Sequence, residues 1–227
     1  MDAHKLSGRE LKRKVFAVLQ SDRFHEQLGG LCQWPARQVI NPLLSSLLSS
    51  DEQVKWRGVT AIGEVVANLA DQEVESARVI MRRLMWMLND ESGGIGWGVP
   101  ETMGEIVARH EGLAKEYACQ VVSYIREDCN YLEYEPLQRG AVWAVGRVAQ
   151  VRPSMVQDAI PHLVIFLESS DPVLQGLSAW SLGLLGAETA RPRLEGFRGD
   201  KGRVPLYLNG ELVVRTLGDL AEEALTT

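Results

Sequence analysis

Glu101 and Glu105 stand one helical turn apart near the Gly-rich stretch 93–98, a pair of carboxylates whose spacing could serve acid–base work. Such work needs a partner group, a histidine or a third acid, to hold or relay the proton. Neither stands three or four residues from either glutamate, where it would share their helix face. Arg147 occupies the equivalent place in the next repeat, so the spacing favours a structural ion pair between Glu105 and Arg147 over catalysis.

Other chemistry is as sparsely provided. His4, His25, His110 and His162 are scattered along the chain, and no serine or cysteine sits in a nucleophile context. The glycines from Gly93 to Gly98 lack the preceding strand and the lysine of a phosphate-cradling loop. Cys32, Cys119 and Cys129 are odd in number and carry no metal-ligand spacing, which reads as a reduced, intracellular chain. No apolar run is long enough for a membrane span and no signal-peptide core is visible at the N-terminus. The expectation is a cytoplasmic protein with no cofactor, no metal and no membrane association.

What does recur is a pattern of aromatic and charged residues around four glycines, Gly63, Gly104, Gly146 and Gly183, spaced by 41, 42 and 37 residues. Each glycine lies inside an apolar pattern of helical period, and each is followed by a second such pattern. That is the mark of a helical repeat array. Positions −7, −3 and +1 from each glycine share one helix face. They read Trp56, Thr60, Glu64; Trp97, Glu101, Glu105; Arg139, Trp143, Arg147; and Gly176, Trp180, Leu184. Four of the six tryptophans fall on this stripe. Two readings follow. The tryptophans fill seams between successive first helices, or Trp56, Trp97, Glu101, Glu105, Arg139, Trp143, Arg147 and Trp180 form a partner-binding strip of hot-spot residue types.

The elements that must position this stripe can be laid out in order. Residues 1–50 form an N-terminal helical cap and partial repeat: a helix from Gly8 to Gln20, a turn stopped by Gly29-Gly30, and a short helix interrupted near Pro42. Lys12-Arg13-Lys14 read as a solvated helix face. Residues 51–190 hold the repeats. Asp51 caps a helix to about Ala70, a second helix follows from Gln72 or Glu73, and Asn89-Asp90 ends it. Pro100 suits a first turn. The third repeat opens on an acidic, aromatic lead from Tyr131 to Pro136, followed by a helix over Leu137–Val151 and a partner helix after Pro153. The fourth opens on Asp171-Pro172. Residues 191–227 form a C-terminal cap, in which Asn209-Gly210 between two β-prone runs predicts a hairpin with a type I′ turn. Thr216 and Asp219 then predict a capping box and a last helix. The fold class is therefore all-α, an α-α superhelix (solenoid), with a small hairpin and helix at its C-terminal end. One elongated domain is the expectation.

The stretch Asp171-Pro-Val-Leu-Gln-Gly-Leu-Ser-Ala179-Trp-Ser-Leu182-Gly183-Leu-Leu-Gly186 resembles a HEAT repeat of the phycobilisome-lyase-like subtype. Asp51, Val54, Ala61, Ile62 and Gly63 repeat part of that pattern, as do Ala144, Val145 and Gly146. The resemblance covers roughly residues 45–190 and implies the fold. For function it implies several classes: scaffolds and adaptors, bilin-attaching lyases, and glycosylases that remove alkylated bases.

Charge narrows these. The chain carries 24 bases against 30 acids, and seven of the bases fall in the first fifty residues, so the repeats are acidic. That argues against duplex nucleic acid, whose affinity rests on neutralising phosphates, unless Arg78, Arg82, Arg83 and Arg126 line one groove. The leading expectation is a non-enzymatic scaffold or adaptor that binds a protein or peptide. The alternatives are a HEAT-like nucleic-acid-binding or base-excising protein and a chromophore-lyase-like protein.

Overall fold

The computed structural model describes residues 7–89 and 95–226. Asp90, Gly93, Gly94 and His4 lie outside them. The chain divides into two compact units, Met1–Gly98 and Val99–Thr227.

In the first unit Ser7 opens α1 (Gly8–Gln20) with a capping box. Its Oγ accepts from the Glu10 N–H at 3.3 Å, and the Glu10 carboxylate accepts from the Ser7 N–H at 2.9 Å. Leu11, Val15 and Leu19 are buried along one stripe, while Lys12, Arg13 and Lys14 face solvent. After α2 (Phe24–Leu28), Gly29 and Gly30 do not stop the chain. Gly29 keeps a right-handed φ of −60° and a 3-10 turn runs through them to Gln33. α3 (Ala36–Ser46) passes through Pro42 without a break. The carbonyl that proline leaves without its usual donor belongs to Gln38, which is exposed, so water is at hand.

The first clear repeat consists of α4 (Glu52–Gln72) and α5 (Val74–Asn89). Asp51 caps α4 by accepting from the Gln53 and Val54 N–H groups at 2.9 and 3.3 Å. α3 approaches α4 so closely at Gly58 that an added Cβ would lie 2.1 Å from Ser46 Oγ. Arg57, on the same helix, donates to the carbonyl of Leu19 near the end of α1 and to that of its C-cap, Ser21, at 2.9 and 3.0 Å.

The second unit contains α6 (Val99–Arg109), α7 (Glu111–Ser123), α8 (Glu135–Ala149), α9 (Ile160–Phe166), α10 (Pro172–Leu184) and α11 (Arg191–Glu195). β1 (Arg203–Leu208), β2 (Glu211–Thr216) and α12 (Leu217–Thr226) complete it. The first helices α6, α8 and α10 pack one on the next, and α12 follows α10 in the same manner. α7 lies against α6 and α8, and α9 against α10. The segment after Pro153 forms two 3-10 turns before α9 begins at Ile160, so that second helix is shorter than its predecessors.

Every residue of α6 from Val99 to Ala108 is buried, glutamates included. The repeat glycines permit that density. A Cβ on Gly104 would stand 2.6 Å from Ala144 Cα, one on Gly146 2.5 Å from Ser181 Oγ, and one on Gly183 2.7 Å from Ala224 Cα. Ala144 and Ser181 each sit two residues before the glycine of their own helix, so the contact repeats in register. A glycine in a helix costs about 1 kcal/mol against alanine, and close approach of backbones is what offsets it here.

The C-terminal cap has the expected form. β1 and β2 pair antiparallel from Arg203↔Thr216 to Leu208↔Glu211. The two-residue loop places Asn209 at φ 51° and Gly210 at φ 87°, the positive values a type I′ turn requires. Asp219 N–H donates to Thr216 Oγ1 at 3.1 Å and Thr216 N–H to the Asp219 carboxylate at 3.3 Å, closing the box that starts α12.

Candidate functional site

The stripe residues of the second unit are engaged within the fold. Glu105 is buried on α6, and its two oxygens are claimed by two guanidinium groups: Arg109 Nε at 2.5 Å, one turn along the same helix, and Arg147 Nε at 2.6 Å, from the next first helix. The Glu105–Arg147 pair expected from spacing is present. Glu101, also buried, turns its carboxylate toward Gly140 of α8, where a Cβ would fall 2.6 Å from that group. The two glutamates share a helix, and the partners that hold the Glu105 carboxylate in place are two guanidinium groups.

Arg139, at the start of α8, makes the corresponding link forward. Its Nε donates to Asp171 at 2.7 Å and its Nη2 to Glu135 at 2.7 Å. Asp171 is at the same time the cap of α10, accepting from the Val173 N–H at 2.9 Å with its other oxygen. One carboxylate therefore joins two successive first helices and starts the second of them.

The tryptophans of this unit are enclosed. Trp143 is 2% exposed, and its indole Nε1–H donates to the Tyr207 carbonyl of β1 at 3.0 Å. Val204 of the same strand fills the space beside Gly176, where a Cβ would lie 2.4 Å from its methyl. The hairpin thus rests on the stripe where α8 and α10 carry it. Trp180 lies against Gly146, and Ser181 beside it donates to the Leu177 carbonyl at 2.8 Å. A partner reaching Trp143 would first have to displace the hairpin. Among the stripe residues of this unit Arg139 keeps the most open side chain, 40% exposed against 22% for Arg147.

In the first unit Trp56 and Trp97 are half-buried. The most open aromatic is elsewhere. Trp86 on α5 is 74% exposed, and Val79, two turns earlier on the same face, is 54% exposed. Helical spacing counts Val79 with the apolar set of α5, but the buried members are Ala77, Ile80, Met81 and Leu84. The signal for Trp86 was available: it sits two places from Leu84 and Leu88, off the apolar stripe.

Of the arginines that a nucleic-acid groove would need, Arg78 and Arg82 bond Glu75 at 3.4 and 2.7 Å, and Arg126 grips Asp128 through two hydrogen bonds of 3.1 and 2.8 Å. Arg126 holds the Asp128 carboxyl below its usual range. A groove of about 240 Å³ beside them is walled by Ile125, Glu127, Tyr131, His162 and Ile165. Burial, with Glu127 nearby, raises the Tyr131 phenol, which accepts from Gln138 at 2.9 Å. The acidic lead thus packs back on its own helix, with Tyr134 left exposed at the N-cap of α8. His110 is a cap, its Nδ1 accepting from the Leu113 N–H at 3.0 Å. No helix among the described residues is long and apolar enough to cross a membrane.

Comparison with known proteins agrees with this architecture. Residues 135–185, from α8 through α10, match the HEAT-like repeat family. An uncharacterized protein of Archaeoglobus fulgidus is 26% identical over 186 residues, covering 80% of this chain and 92% of the relative. Among solved structures, a designed armadillo repeat protein is similar with a TM-score of 0.52 at 18% identity, over 96% of this chain and 99% of the other. A computationally designed armadillo repeat protein for modular peptide recognition aligns at 0.49 with 18% identity, over 96% and 99% of the two chains. The fold is an armadillo-like array of helical repeats, and the portion from Glu135 to Leu185 is HEAT-like.

Proposed function

We propose that this chain is a non-enzymatic scaffold or adaptor that binds a protein or peptide partner. The observation that carries the reading is the division of labour between helix layers. The first helices α6, α8 and α10 are buried and spend their charged and aromatic groups on one another and on the hairpin. The second helices turn large apolar side chains outward: Val79 and Trp86 on α5, Ile165 on α9. Exposed aromatic and aliphatic groups on an ordered framework are the usual anchors of protein recognition.

The phycobilisome-lyase-like character of the fourth repeat is part of this reading, supported by the Asp171 cap on α10 and by Gly183 and the left-handed Gly186 at φ 61°. A cytoplasmic place is part of the same proposal, supported by three cysteines, odd in number and without metal-ligand spacing. Affinity capture from the native cell extract on the immobilised full chain tests the function. A defined protein retained in near-stoichiometric amount is expected, and retention of none, at low and moderate salt alike, would sink the reading.

A further inference from the structure

One face of α5 sets large exposed apolar side chains beside arginines. Val79, Arg82, Arg83 and Trp86 fall at the spacing i, i+3, i+4, i+7, so they form a single stripe along the helix. All four are exposed. The helix holds three arginines and one acid, Glu75, in a chain of net charge −6. Glu75 sits in the first turn, where it answers Arg78 and Arg82. Arg83 instead donates to a neutral group, the Asn41 Oδ1 of α3, at 2.7 Å, a bond that orients the guanidinium without offsetting its charge. Arg37, one turn before Asn41 on α3, is also exposed. Glu73 precedes this set, and Asp90 and Glu91 follow it in sequence outside the described residues.

Tryptophan and arginine are among the residue types most enriched at the energetic centre of protein contacts. Its charge selects the partner. We propose that the Val79, Arg82, Arg83 and Trp86 face of α5 docks an acidic segment of a protein partner, one carrying carboxylates beside a large apolar side chain. The inference rests on the scaffold reading above and names the surface and the partner's chemistry. Arg83 meets a carboxylate, and Trp86 and Val79 cover the apolar group. Nucleic acid fits less well, because a few arginines in an acidic chain neutralise few phosphates.

The test uses the full chain and a fluorescent peptide of alternating Glu and Phe, with a Gln and Phe peptide as its uncharged counterpart. Trp86→Ala and Arg83→Glu are expected to keep the thermal midpoint and to weaken the Glu–Phe peptide by about tenfold or more, and the Gln–Phe peptide is expected not to bind. Equal affinity in wild type and both variants overturns the proposal, as does failure of the wild type to bind the charged peptide. A single-stranded oligonucleotide bound through the same two residues with a steep salt dependence overturns it in favour of nucleic acid. Self-association abolished by Trp86→Ala overturns it in favour of a second copy. A partner captured from extract equally by wild type and Trp86→Ala removes this surface and leaves the scaffold reading standing, whereas capture of nothing removes the scaffold reading itself.

Discussion

The indole of Trp143 on α8 donates its Nε1 hydrogen to the backbone carbonyl of Tyr207 on β1, joining the third repeat to a strand more than sixty residues later. The rings of the two residues lie 6.3 Å apart at 50°. A small two-stranded sheet has little stability of its own in water, so this contact and the burial of Val204, Leu206 and Tyr207 fix the hairpin in place.

Trp143→Phe keeps most of the apolar volume and removes the hydrogen bond. The expected loss is about 1–2 kcal/mol, with faster amide exchange in β1 and β2 than in α4. Exchange unchanged in the hairpin would show that the indole does not hold it.

Gly104→Ala tests the close approach of first helices. The new methyl would meet Ala144 at 2.5 Å from Cβ and 2.6 Å from Cα, where backbone has no room to yield. Overpacking costs about 1–3 kcal/mol, more than the gain of about 1 kcal/mol in helix propensity. Gly8→Ala, with nothing within 4 Å of the added methyl, is the control. A lower melting midpoint is expected for the first and an unchanged or slightly raised one for the second.

The Glu105 clamp predicts coupling between repeats. Glu105→Gln and Arg147→Met should each destabilise, and the double variant should lose less than their sum, with a coupling of about 1–2 kcal/mol. Additive losses in urea unfolding would mean that the pair contributes no interaction of its own. Arg109 remains on the carboxylate in one single variant, so the comparison isolates the inter-repeat arm.

A pH effect attaches to Asp219. Its carboxyl is lowered by hydrogen bonds from the Thr216 side chain and backbone, with smaller help from Arg215 and Lys201. A depressed folded-state pKa contributes stability above the unfolded value, near 3.9, and that stability is lost as pH falls through the lower folded value. Circular dichroism of wild type and Asp219→Asn from neutral to acidic pH should therefore converge below about pH 4, and curves that stay parallel throughout would refute the cap.

Much of the fold was legible because its signals are local. Asp51 and Asp171 cap helices by their own side chains, the box from Thr216 to Asp219 closes within one turn, and Asn209-Gly210 fixes a turn that needs positive φ twice. Gly29 and Pro42 act differently from their usual tendency because their effects depend on surroundings: Gly29 keeps a right-handed φ of −60°, and Pro42 stands inside α3 with Gln38, the residue one turn before it, exposed. The stripe could be read as a set, and so could the Glu105–Arg147 pair, since both follow from repeat register. What covers Trp143 could not, because the hairpin reaches it from far along the chain. Trp86 is legible only as a departure, a large apolar residue two places off the stripe marked by Leu84 and Leu88, on a second helix that the repeat glycines do not mark.

Binding is the claim most worth testing first. The immobilised full chain, its Trp86→Ala variant and its Trp143→Phe variant, each confirmed folded, are to be compared for proteins captured from the native cell extract and quantified by mass spectrometry. The account predicts one defined protein held by the wild type and by Trp143→Phe and lost from Trp86→Ala. No protein held by the wild type would contradict the scaffold reading, and a partner lost with Trp143→Phe but kept with Trp86→Ala would place binding at the hairpin-covered stripe instead.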